Sequence, residues 1–453
     1  MWWIRRQGRV NRTIHALHKK HGPIVRIAPK EVSVNSVGGL KTIYIGGFEK
    51  ANWYADFKNF NAPNMVSIKE YGPHSVLKRM LSNVYSNSYI LNSLDLQKIA
   101  RVLLFDRLLP VLHAEARDDM SSSLDAYQLG KAIGMDFTAA YLFGLSNVPD
   151  YIRHLEDWDQ WQRDYDNTKH LTPAQRAFCK TEQKILSLCD AAVAFTESKK
   201  SNGHGDEMAT EPVVHSQLWR SLQEKYQSRS EYNRILAASE MMDHLIAGHE
   251  TTGITLAYAM YELSRNPVHQ RRLRAELLSL SPPITTQPLS SSSVRSLPSF
   301  QSIDSLPFLD VVIRETLRLY PAAGAPQPRI IPSNKHTVIE GYTIPAGVTV
   351  SSSAYTLHRN TTVFPDPESW LPDRWLAADT DHLEEMKRWW WPFGSGGRMC
   401  IGSHFATLIL KLGVAAVYTN YSSFVVDDEG IEPLDSFIAS PTAGKVILGL
   451  TRL

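Results

Sequence analysis

The chain has three cysteines, Cys179, Cys189 and Cys400, and one of them stands among residues that could make it reactive. Cys400 lies in Phe393-Gly394-Ser395-Gly396-Gly397-Arg398-Met399-Cys400-Ile401-Gly402. Glycine adds no side-chain volume, so three glycines in four positions read as backbone that bends tightly and approaches something flat or close. Cys400 directly precedes a predicted helix, whose free N–H groups and partial positive charge favour a thiolate over a thiol. A thiolate in such a loop is either a nucleophile or a metal ligand. Arg398 offers a fixed cation to an anionic group on the same ligand. The plainer reading is a buried cysteine in a glycine-rich turn.

Two further segments carry candidate chemistry. Ala247-Gly248-His249-Glu250-Thr251-Thr252 falls mid-way along a long predicted helix. Glycine costs about 1 kcal/mol in a helix interior, and threonine somewhat less, so the segment reads as a place opened for a purpose. The bare Gly248 lets a ligand approach the backbone, a threonine hydroxyl can bond back to the helix, and an acid beside a hydroxyl is a proton-relay candidate. The alternative is a small-residue contact with a neighbouring helix. Glu315-Thr316-Leu317-Arg318 places an acid and a base at i, i+3 on one helix face, an arrangement common in surface ion pairs. Pro372-Asp373-Arg374-Trp375 follows before the cysteine loop. His15, His18 and His21 have a spacing that could suggest a metal, but a basic amphipathic segment is the better reading.

Together these segments resemble the cytochrome P-450 family. The cysteine loop matches F-x-x-G-x-R-x-C-x-G at every fixed position. Ala247–Thr252 resembles the family's A-G-x-[D/E]-T-[T/S] motif, and Glu315, Arg318 and Arg374 match its E-x-x-R and P-x-R-[W/F] pair. The resemblance implies a mainly α fold with a small β-rich lobe, built as a single large domain around haem b. Cys400 is then the iron ligand, within a loop containing Phe393 and Gly394, with Ala247 and Gly248 beside the cofactor. Thr251 is the hydroxyl that hands a proton to dioxygen, and Glu250 helps to deliver protons. Glu315, Arg318 and Arg374 form a buried charge triad that locks the loop.

Haem carries two propionates. Arg398 and Arg329, the latter in Gln327-Pro328-Arg329, are their expected cations. The family's W-x-x-x-R, or H-x-x-x-R in fungal members, corresponds to His74-Ser75-Val76-Leu77-Lys78-Arg79. Lys78 there replaces a bidentate fork by a point charge, so Arg79 is an alternative contact.

The implied reaction is insertion of one oxygen atom from O2 into an apolar organic substrate. Electrons come from NADPH through a separate cytochrome P-450 reductase, because the chain has no flavin or dinucleotide motif. Arg79, Lys387 and Arg388 are candidate reductase contacts. The expected pocket lining is residues 60–67, 244–248, 322–326 and 436–440. Gly22–Pro29, His358-Arg359-Asn360 and Phe364-Pro365-Asp366-Pro367 resemble filamentous-fungal members, which implies a fungal secondary metabolite as substrate. Two alternatives remain: an O2-independent haem-thiolate isomerase or dehydratase, and a non-catalytic haem-binding protein.

The elements that must position these residues follow from patterning. Ser230 and Pro267 bracket one helix of roughly 54 Å at 1.5 Å per residue, apolar around most of its circumference and therefore a core helix. Helices are expected at 307–320 and 401–418, with helical segments broken at 198–212 over 91–227. Strands are expected at 24–27, 32–34, 337–339, 348–352, 424–426 and 445–450, with turns at Gly341, Pro345 and Gly347. Residues 281–305 contain nine Ser and four Pro and read as a surface loop within the haem domain of residues 21–453.

The 453 residues are 43% hydrophobic with 48 basic and 46 acidic side chains, an ordinary globular composition. The balance gives no reason to expect a nucleic-acid partner. Odd cysteine usage without C-x-x-C speaks against a disulfide framework or structural zinc. Residues 1–20 read as a basic amino-terminal arm, including Arg5, Arg6, Arg9 and Arg12. Related proteins normally begin with a membrane anchor, so the expectation is a monomer in peripheral contact with the cytoplasmic face of the endoplasmic reticulum if such an anchor precedes this chain, and a cytoplasmic protein otherwise.

Overall fold

The computed structural model describes residues 8–116, 123–168, 179–202, 209–227, 230–286, 295–333 and 336–453. Arg5, Arg6 and parts of the 198–212 break and the 281–305 loop lie outside the described residues.

Helices dominate. In chain order, those that matter for the site are α1 (Val10–His21), α2 (Tyr71–Leu81), α3 (Ala126–Phe143), α4 (Ser230–Arg265), α5 (Pro307–Leu319), α6 (Thr380–Trp389) and α7 (Ser403–Asn420). Their ends follow local chemistry. Asp125 accepts from the N–H groups of Tyr127 and Gln128 to cap α3, Pro307 occupies the first turn of α5, and Asp379 accepts from His382 N–H to cap α6. α4 runs over 36 residues between the expected limits. α7 begins at Ser403, two residues later than expected, because Ile401 and Gly402 form a turn.

Among the described residues, nine short strands make three small sheets. β1 (Ile24–Ala28), β2 (Glu31–Val34), β7 (Thr349–Ser351) and β4 (Arg329–Ile330) pair in the order β1-β2-β7-β4. β3 (Leu124–Asp125), β9 (Ile447–Arg452) and β8 (Tyr421–Asp427) form the second sheet, and β5 (Thr337–Ile339) with β6 (Tyr342–Ile344) the third. The fold is therefore mainly α with a small β-rich lobe, as expected.

One large apolar core is built from α3, α4, α5 and α7, and a smaller cluster holds the β lobe together. Trp391 belongs to the smaller cluster, whereas Phe405, just after the cysteine loop, belongs to the larger. The loop thus bridges the two cores. α1 differs from the expected solvated arm: its Asn11, Ile14 and His18 are buried, and Asp435 accepts the Asn11 N–H at 2.6 Å. His18 bonds Gly22 O and Ser33 Oγ, which accounts for it as a packing residue. The Ser/Pro-rich stretch ends in a helical turn, Phe300–Asp304, with Phe300 and Ile303 buried.

Candidate haem-thiolate site

The cysteine loop closes on itself through Cys400 N–H to Phe393 O at 2.9 Å and Met399 N–H to Gly396 O at 3.1 Å. Gly394 has φ +70°, and a Cβ there meets nothing nearer than Met399 Cα at 4.0 Å. Gly396 also has positive φ, but its missing Cβ would lie 2.3 Å from Tyr44 O, and that of Gly397 3.2 Å from the Tyr71 ring. Two of the three glycines therefore serve the close approach expected of them, and what they approach is the protein itself. Lys78 Nζ donates to Gly397 O at 3.1 Å and Met399 O at 2.7 Å, which pins the loop to α2.

Cys400 is exposed at the loop, yet desolvation of its sulfur by the surrounding protein pushes the thiol up, and the Gly402 N–H and the Lys78 charge ease this without reversing it. The Gly402 N–H at the start of α7 favours the thiolate, as the sequence leads one to expect, but does not by itself offset the desolvation. A coordinated cation would deprotonate the thiol outright. Among the described residues no three His, Cys, Asp or Glu side chains gather as a metal cage.

The residues present fit a dianionic cofactor. Arg398 donates from Nη1 to Ile68 O at 2.7 Å and from Nη2 to Lys69 O at 2.6 Å, leaving its buried Nε without a partner. Arg329, buried, donates from Nη1 to Tyr54 Oη at 3.2 Å, and its Nε is also unpartnered. Burial and then Arg329 hold the Arg398 guanidinium down to about 10. Burial and then Arg398, with Lys50, Lys78 and Arg329, hold the buried His74 ring down to about 3, and hence neutral. Such clustered cations want an anion between them. Arg79 is exposed and donates back to Ser75 O of its own helix, so it does not take the place of Lys78.

α4 presents the second motif. Ala247 is exposed although its helix runs through the core, and Thr251 Oγ1 donates to Ala247 O at 2.7 Å. Thr252 is buried toward α3. Gly248 does not face a ligand: a Cβ there would lie 2.5 Å from Thr138 Oγ1 of α3. The helix–helix contact is the correct reading for this residue. Glu250 Oε1 accepts from Tyr127 Oη at 2.7 Å, and its Oε2 lies 3.5 Å from His249 Nε2. Burial alone would raise the Glu250 carboxyl, but contact with His249, the Tyr127 hydroxyl and Lys131 outweigh it and hold the group at about 2.

The third constellation assembles fully. Glu315 and Arg318, both fully buried, make a bidentate pair at 2.8 Å, and Arg374 Nε donates to Glu315 Oε1 at 3.0 Å. Leu371 N–H and the Trp375 indole fill the remaining lone pairs of the carboxylate. His358, held neutral at about 3 chiefly by burial, donates from Nδ1 to Arg318 O and accepts the Trp391 N–H on Nε2 at 2.7 Å. The Trp391 indole then donates to Ser395 Oγ inside the cysteine loop. Sequence reasoning missed this strut, although His358 stood in a recognised segment.

A family model described as Cytochrome P450 matches residues 1–448. The chain belongs to the cytochrome P-450 family. It is similar to a cytochrome P-450 monooxygenase, avaI, of Aspergillus versicolor, with 28% identity covering 85% of this chain and 92% of the relative. A second, hkm5 of Aspergillus hancockii, is 27% identical over 98% of this chain and 86% of its own length. Pisatin demethylase of Fusarium vanettenii is 26% identical, over 93% and 82%. Membership makes this a haem-binding oxidoreductase of the P-450 monooxygenase kind.

Polar straps tie the segments expected to line the pocket to their neighbours. Segment 59–67 is strapped to α4 by polar groups: Ser239 Oγ donates to Ala62 O, and Met65 N–H donates to Glu240 Oε2 at 2.9 Å. His244 uses both ring nitrogens, on Tyr85 Oη and Glu240 Oε1, and so is a structural residue. Burial and then Glu240 push the Asp243 carboxyl up to about 7. Loop 436–440 is tied to 322–326 by Ala439 N–H to Ala322 O. Lys387 and Arg388 pair with Glu384 and Glu385 of their own helix, which offsets their charge as a docking surface.

Proposed function

We propose that this P-450 is a monooxygenase whose Cys400 ligates the iron of haem b and whose Arg398 and Arg329 receive the propionates. The cofactor supplies the transfer of one oxygen atom from O2 to an organic substrate. The chain supplies position and protons. Lys78 and the His358–Trp391 strut hold the loop that presents Cys400. Ala247 and Thr251 share one face of α4, and the hydrogen bond to Ala247 O fixes the direction of the Thr251 hydroxyl. Phe393 and Gly394 shape the loop, and the triad of Glu315, Arg318 and Arg374 anchors the segment behind it.

The observation that carries this reading over an O2-independent isomerase is the pairing of a positioned hydroxyl with a neighbouring acid on α4. Thr251 Oγ1 donates to Ala247 O at 2.7 Å, and Glu250, the preceding residue, accepts from Tyr127 Oη at 2.7 Å. A rearrangement of substrate needs no such pair. The electrons are NADPH electrons delivered by a separate reductase, and the substrate belongs to fungal secondary metabolism, as the fungal relatives support. Residence on the cytoplasmic face of the endoplasmic reticulum belongs to the same proposal; no helix among the described residues is long and apolar enough to cross a membrane.

With reductase, NADPH and oxygen-18 gas, the product of a converted substrate should carry one labelled oxygen. Product formed without label, or without O2, would move the enzyme to the isomerase or dehydratase class.

A further inference from the structure

Lys50 has no role in the motifs above, yet it is among the most constrained cations in the molecule. Backbone pairing places it: Lys50 bridges Arg329, Ile330 N–H donates to Glu49 O at 2.9 Å, and Ala51 N–H to Pro328 O at 3.4 Å. This strip fixes Lys50 beside Arg329 whatever its side chain does. Lys50 is 8% exposed, and Nζ donates to Val66 O at 2.7 Å and Met65 O at 3.2 Å and lies 4.8 Å from the centre of the Tyr54 ring, so among the described residues its third N–H has no oxygen acceptor. Among the described residues no carboxylate lies within ion-pair distance of Lys50, Arg329 or Arg398; Glu240 and Asp243 act on Lys50 from further away.

Burial, then Arg398 and Arg329, pull the Lys50 ammonium down to about 7. A protein that buried three mutually repelling cations for packing alone would be destabilised, since an unpaired buried charge is costly. The position expected from the family motif to furnish the third cation holds Lys78, whose ammonium is engaged by Gly397 O and Met399 O. The geometry points to Lys50 as the third cation of the propionate cradle, standing in for the guanidinium that Lys78 does not provide. This rests on haem occupying the site, and the test separates the two claims.

The holoenzyme and its Lys50→Met, Lys50→Gln and Lys50→Arg variants are mixed with excess apomyoglobin, and haem transfer is followed by absorption. Lys50→Met and Lys50→Gln should lose haem about tenfold faster than the parent, the scale of one charge-assisted hydrogen bond. Lys50→Arg should stay near the parent rate. Lys50→Gln keeps donors for the Met65 and Val66 carbonyls without the charge, so parent-like loss from it would overturn the proposal. The same proteins loaded with haem dimethyl ester, which has no propionate charge, should lose it at one common rate. Faster ester loss from Lys50→Met, equal to its haem effect, would make Lys50 a strap for segment 65–66 and overturn the proposal. A parent protein that binds no haem would instead refute the functional reading itself.

Discussion

At Glu250 the protein holds a carboxylate ionised by design of its surroundings. The folded-state value of about 2 lies below the ordinary 4.5 for this side chain. A depressed carboxyl stabilises the folded state above its unfolded value, and that contribution is lost as pH falls through the folded value. The shift corresponds to at most about 3 kcal/mol. Between about pH 5 and pH 3 the parent's unfolding midpoint should therefore fall more steeply than that of Glu250→Gln. Parallel pH profiles of the two proteins would show that His249, Tyr127 and Lys131 do not stabilise the anion. Functionally, a carboxylate held this acidic beside a phenol that burial makes less acidic takes no proton from Tyr127 at rest; it is a fixed hydrogen-bond acceptor that carries a proton only when its environment changes.

At the scale of elements, α3 and α4 interlock through glycines. Gly134 lies against His249, Gly248 against Thr138, and Gly253 against the Lys131 backbone. Gly248→Ala should destabilise the fold by about 1–3 kcal/mol through overpacking. Thr138→Ala, which removes the two closest atoms of that contact, should recover most of the loss in the double variant, read as thermal unfolding midpoints. A Gly248→Ala protein as stable as the parent would return this glycine to the cofactor. α4 itself is legible in the sequence, because Ser230 and Pro267 bracket it and its apolar residues cover most faces. The face each motif residue presents is not legible. Gly248 and Ala247 are neighbours in sequence, and only the packing of α3 decides that one meets a helix and the other the site. The two-residue strand β4 is equally hidden, since its register comes from β7 and from Lys50 rather than from any periodicity of its own. Lys50 is illegible for the same reason: its partners are carbonyls and arginines brought together by tertiary structure.

Over the whole molecule, the cysteine loop is the joint between two cores of different character. Its upstream end is anchored in the β lobe through Trp391 and Tyr44, and His358 ties it across to Arg318 of the triad on α5. Its downstream end continues into α7 and the helical core. The motifs are legible as a set because each has a fixed spacing, whereas their mutual placement depends on that two-core construction. The central claim is that Cys400, presented at this joint, is the axial thiolate of a bound haem. The most direct measurement is the absorption spectrum of the reduced, CO-bound protein. The parent should show the strongly red-shifted Soret band of thiolate ligation, and Cys400→Ser should lose it. A parent without that band, or a Cys400→Ser protein that keeps it, would contradict the account.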